Sequence, residues 1–129
     1  MRVQYIFVFL GGGFGALCRY LATAFFAARF GAAFPCGTLF VNVSGSFLMG
    51  LIMGLLPLLP RGVFLPENLR LLLAVGFLGG FTTFSSFSME TLALLQGANA
   101  PYALLNIVAN VFLGLLAAWA GLLLIRALA

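Results

Sequence analysis

Apolar positions in this chain neither alternate nor recur sparsely; they run on. Four long stretches, over about residues 3–28, 36–56, 68–95 and 102–125, are dominated by apolar residues and separated by short segments carrying proline, glycine or arginine. A helix that is apolar all round has no aqueous face, and about 20 such residues reach across the hydrocarbon core of a bilayer. No period of two appears, so the pattern predicts an all-α protein of four membrane-spanning helices. Phe34-Pro35 marks the first turn, Pro57 and Pro60 open a polar loop over 57–67, and 96–101 makes the last turn before a helix ending at Arg126.

Composition changes this picture by excluding alternatives. The 129-residue chain is 64% hydrophobic and 6% charged, against about 25% charged residues in a soluble domain. So few charges cannot keep a surface wet, and the solvent must be lipid. The loops are too short for an extramembrane domain, so residues 1–129 read as one four-helix unit. There is no His, Asp or Lys, and the acidic residues are Glu67 and Glu90 alone. That inventory is too poor for most acid–base or metal catalysis, and an enzyme is not expected. Cys18 and Cys36 sit in or beside apolar segments and read as small packing residues. Leu17 occupies the position where processing at Cys18 needs a small residue, so the first span is expected to be retained.

With four spans the N-terminus, second loop and C-terminus share one side. Arg2, Arg61, Arg70 and Arg126 fall there, against Arg29 and Arg19. Taken alone, that asymmetry favours a single topology with the N-terminus inside. Small residues are dense in the spans: Gly11, Gly12, Gly13 and Gly15 in the first, then Ser46, Gly50 and Gly54 at four-residue spacing in the second. In lipid such residues let backbones approach closely, which predicts tight helix packing and a homo-oligomer.

The third span carries the most informative segment, Gly76-Phe77-Leu78-Gly79-Gly80-Phe81-Thr82-Thr83-Phe84-Ser85-Ser86-Phe87-Ser88. Paired glycines followed by hydroxyl residues predict an unwound helix at mid-membrane, about residues 79–82. Freed carbonyls there would suit a cation and freed N–H groups an anion. Thr38, Asn42 and Ser46 recur four apart and share a helical face; Tyr102, Asn106, Asn110 and Gly114 repeat that spacing on the fourth helix. These amide and hydroxyl stripes, with no intramembrane Lys or Asp beside them, favour an anion. Phe84 and Phe87 add ring edges of positive potential. Arg19 either draws anions to a vestibule or extends to the headgroups.

Three motifs then point to a family. Gly12-x-x-Gly15-Ala16-x-x-Arg19-Tyr20, Gly37-Thr38-x-x-Val41-Asn42-x-x-Gly45-x-Phe47-x-x-Gly50 and Gly76-x-x-Gly79-Gly80-x-Thr82-Thr83-Phe84-Ser85-Ser86-Phe87-Ser88-x-Glu90 together resemble the Fluc (CrcB) fluoride channels. The resemblance runs the length of the chain. It implies an antiparallel homodimer inserted in both orientations, which overrides the arginine count, with two fluoride pathways and a structural Na+ at the dimer interface. It further implies Asn42, Phe84 and Phe87 as pathway residues, joined by Thr38, Ser86, Asn106 and Asn110, with Arg19 in the vestibule. Backbone carbonyls of Gly79 and Thr82 would hold the sodium. Gly114 stands where some members have serine, and Glu90 matches the acidic residue after the phenylalanine pair.

The implied activity is passive fluoride efflux across the cell inner membrane, lowering cytoplasmic fluoride. The implied partners are fluoride, a second copy of the chain and the lipid bilayer, with no nucleotide or nucleic acid. A small proton-coupled four-helix exporter using Glu90 is the alternative.

Overall fold

The computed structural model describes residues 2–59 and 64–129, and their regular secondary structure is helix, with no strand among the described residues. Among the described residues, four helices are long and apolar enough to cross a membrane: Val3–Phe30, Cys36–Leu58, Glu67–Gln96 and Ala100–Leu128. The expected count of four is therefore met.

The ends differ from expectation where proline is involved. The second span runs on past Pro57 through a tight turn of 3-10 helix, Leu56–Leu58. The fourth helix starts at Ala100 with Pro101 inside its first turn. Proline is well placed there, because a first-turn N–H has no intrahelical acceptor to lose. Helix also resumes at Phe64–Leu69, inside the stretch expected to be a polar loop; Pro60 and Arg61 of that loop lie outside the described residues. At the far end of the third span, Asn99 N–H reaches Leu94 C=O and Ala98 N–H reaches Leu95 C=O, a Schellman closure. Its left-handed position is Ala98, at φ 56°.

The first span packs along the first half of the third, and the second along the fourth, while the second half of the third meets the start of the fourth. Glycine sets these approaches. A methyl at Gly15 would strike the Phe77 carbonyl, one at Gly80 the Gly12 carbonyl, one at Gly50 the Ala118 carbonyl and one at Gly121 the Phe47 carbonyl. Backbone-to-backbone contact of this kind replaces the hydrophobic drive that lipid cannot supply.

The interior is small and partly polar. Val41, Leu78 and Phe81 form its apolar core, while Thr38, Thr83, Thr91 and Asn106 are equally buried. Large apolar side chains such as Phe9, Phe14 and Leu115 point outwards. This is the distribution for a chain whose outer solvent is hydrocarbon.

Along the third span the backbone widens to π-helical turns over Arg70–Leu78, and the fourth does the same over Ala109–Leu113. Gly79 and Gly80 are themselves helical; the extended residues are Thr82, at ψ 156°, and Thr83, at φ −152° and ψ 114°. The glycines act as a packing surface, and the departure from helix comes just after them.

Candidate functional site

Two extended residues in a buried span leave backbone groups that lipid will not satisfy. Asn42 of the second span meets them. Its Oδ1 accepts the Thr83 N–H at 2.8 Å and its Nδ2 donates to the Thr83 carbonyl at 3.1 Å. Because Thr83 N–H can only donate, the orientation of the amide is fixed. Thr83 in turn caps the following helix, its Oγ1 accepting the Ser86 N–H at 3.2 Å.

The carbonyls of Gly79 and Thr82 are affected directly. In an unbroken helix they would receive the N–H groups of Thr83 and Ser86, four residues on. Those donors go instead to Asn42 and to the Thr83 hydroxyl. The described residues hold no cluster of three or more His, Cys, Asp or Glu. A hard cation at this site would depend on neutral carbonyl oxygens of this kind.

From Asn42 a one-way series of hydrogen bonds descends through the protein. Asn42 Nδ2 donates to Asn110 Oδ1 at 2.9 Å, and Asn110 Nδ2 donates to Asn106 Oδ1 at 2.9 Å and to its carbonyl at 3.0 Å. Asn106 Nδ2 donates to Thr91 Oγ1 at 3.0 Å, and that hydroxyl donates to the Phe87 carbonyl at 2.7 Å. The two amide hydrogens of Asn42 and the two of Asn110 are thus all engaged. Thr91 escaped the sequence reading; its spacing of four from Phe87 was the available signal.

A cavity of about 460 Å³ opens where these elements meet, with Asn42, Ser46, Thr83, Phe84, Phe87 and Asn110 among its lining residues. No charged side chain lines it. The rings of Phe84 and Phe87 lie 5.3 Å apart, at 53°. Phe87 is buried, whereas Phe84 is 78% exposed on the protomer. Gly114 completes the wall beside Ser46.

The other sequence-predicted residues lie elsewhere. Thr38 donates to Glu90 Oε1 at 2.7 Å, and both line a second cavity of about 460 Å³ with Tyr20, Thr23 and Cys36. The other Glu90 oxygen is buried without a partner. Asn106 is fully buried, behind the first cavity, and Ser86 accepts a hydrogen bond from the Thr83 hydroxyl at 3.1 Å. Tyr102 packs edge-on against Phe34, so the fourth-helix stripe does not act as one surface. Arg19 is half-buried, and its carbonyl accepts the Thr23 hydroxyl at 2.9 Å. Gly79 is exposed, and a β-carbon there would meet the Ala74 carbonyl at 3.9 Å, an ordinary contact.

Comparison with known proteins bears on the whole chain. A relative from Thermus thermophilus, named fluoride-specific ion channel FluC, is 53% identical over 118 residues, covering 92% of this chain and 90% of that one. Proteins of the same name from Solibacter usitatus and Citrifermentans bemidjiense are 47% and 42% identical, covering 96% and 97% of this chain and 99% and 98% of theirs. The family model described as CrcB-like protein, Camphor Resistance (CrcB), matches residues 6–122. The chain belongs to the CrcB-like protein family.

Proposed function

We propose that this protein is a fluoride-selective channel of the cell inner membrane, not an enzyme, and that it lets fluoride leave the cytoplasm passively. The observation that carries the reading is the uncharged cavity in which Phe84 and Phe87 stand beside amides and hydroxyls. The relatives' shared name supports the ion. Fluoride is small and tightly hydrated, so a narrow pathway must offer close, dispersed donors in place of water. Ring edges and hydroxyls can do this without the deep trap a buried lysine would make.

In this mechanism Arg19 raises the local anion concentration at a vestibule. Phe84 and Phe87 contact the ion. Asn42 and Asn110, whose donors are engaged, fix the backbone and rings that form the wall, and Asn106 anchors Asn110 from behind. Thr38 and Ser86 extend the polar route on either side. Flux follows the fluoride gradient and membrane potential. The proton-coupled alternative on Glu90 finds no support among the relatives, which are named as channels.

The working unit of this proposal is an antiparallel homodimer inserted in both orientations. Phe84 and Gly79, both exposed, supply surface for a second copy. Sodium held there by the Gly79 and Thr82 carbonyls would supply a fixed positive charge that ties the two subunits at mid-membrane.

Purified protein in liposomes loaded with fluoride, followed with a fluoride-selective electrode, tests the reading. Rapid release that a pH gradient does not drive, with chloride retained, is the expected result. Release that requires an opposing proton gradient would overturn it.

A further inference from the structure

With the amides committed to one another, the question is which group in the cavity still has a hydrogen to give. Most hydroxyls near the spans are spent. Ser44 donates to the Phe40 carbonyl, Thr82 to that of Leu78, Ser88 to that of Phe84 and Thr91 to that of Phe87. This bond to the carbonyl four residues back is the usual resting place of a hydroxyl in an apolar helix. Ser46 departs from it. Its hydroxyl lines the cavity with Phe84 and Phe87, and among the described residues it has no hydrogen-bond partner.

Opposite Ser46 stands Gly114, which contributes no side chain. A β-carbon added at Gly114 would meet only the Ser46 hydroxyl, at 3.6 Å, an ordinary contact. The two positions therefore share one volume, approached from facing helices. A hydroxyl delivered from either wall would enter the same space.

We infer that Ser46 is a pathway residue whose O–H donates to fluoride in the cavity, supplying from the second span the hydroxyl that the fourth lacks at Gly114. The inference rests on the fluoride-channel reading and adds to it a specific donor. It separates contact from support: Ser46 gives its hydrogen to the ion, while Asn42 and Asn110 hold the walls.

The test moves the hydroxyl across the cavity. Fluoride efflux from liposomes is compared for the wild type, Ser46→Ala, Gly114→Ser and the Ser46→Ala, Gly114→Ser double variant, with dimer elution and melting temperature checked for each. A hydrogen bond to a charged group implies that Ser46→Ala slows efflux about tenfold or more. The double variant should return to within about threefold of the wild type, because the donor is restored from the other wall. Gly114→Ser alone should conduct. Wild-type efflux from Ser46→Ala, or a double variant no faster than Ser46→Ala, would overturn the inference. A silent wild type would instead bring down the channel reading itself.

Discussion

The side-chain amide of Asn42 pairs with the backbone of Thr83 as a neighbouring peptide would, accepting its N–H at 2.8 Å and donating to its carbonyl at 3.1 Å. One side chain from the second span thus satisfies both main-chain groups of a buried residue in the third. The extended backbone at Thr82 and Thr83 is sustained at mid-span by this pairing.

Asn42→Asp tests the pairing. A carboxylate still accepts the Thr83 N–H but loses both donors, leaving the Thr83 carbonyl and Asn110 Oδ1 facing negative charge. Each buried group left unsatisfied costs about 1–3 kcal/mol, and a fixed anion in the cavity repels fluoride. Thermal melting in detergent should fall and electrode-monitored efflux should cease. Wild-type efflux from Asn42→Asp would contradict the pairing's importance.

Gly50→Ala should disrupt the packing of the second span on the fourth, because the new methyl meets the Ala118 carbonyl and backbone must shift. Gly114→Ala, on the same pair of helices, meets only the Ser46 hydroxyl at ordinary distance. Size-exclusion profiles and melting temperatures should therefore separate the two, with Gly50→Ala the unstable one. Equal stability would show that the helices are less closely apposed.

How much of this was legible in the sequence follows from what each signal encodes. The four spans were legible because lipid demands continuous apolar stretches, and the start of the fourth moved because proline fits a first turn, at Pro101. The paired glycines signalled the correct region but the wrong role: Gly80 accommodates the Gly12 carbonyl, and the extended residues follow at Thr82 and Thr83. Spacing of four identified the faces of Thr38, Asn42, Asn106 and Asn110. It could not say what lies opposite. Thr38 finds Glu90 and Asn106 finds Thr91, partners 52 and 15 residues away in sequence. For the same reason the stripes suggested free amide donors, whereas those of Asn42 and Asn110 are committed within the protein.

Sodium at the third span predicts a different pair of outcomes. Thr82→Ser keeps the backbone carbonyl and should retain the ion. Gly79→Val places a branched side chain beside the carbonyl that would ligate it and should weaken the site. Replacing Na+ with a large organic cation should lower the melting temperature of the wild type and of Thr82→Ser, and change Gly79→Val little. Stability independent of Na+ in all three would remove the ion from the account.

Dual insertion predicts that a C-terminal tag is accessible from both faces of the membrane in comparable amounts, in intact cells and after selective permeabilisation. Labelling from the cytoplasmic side alone would restore the single orientation that Arg2, Arg61, Arg70 and Arg126 favour.

The central claim is that fluoride passes the rings of Phe84 and Phe87, and fluoride efflux from the Phe84→Ile, Phe87→Ile double variant tests it most directly. Isoleucine keeps much of the apolar volume, so the protein should still assemble, and Phe7→Ile and Phe112→Ile serve as controls. The account predicts efflux lower by about two orders of magnitude or more for the double variant, since ring-edge stabilisation of a desolvating anion is lost, and efflux near wild type for the controls. Full-rate efflux from a well-folded double variant would show that these rings are packing and that the ion travels elsewhere.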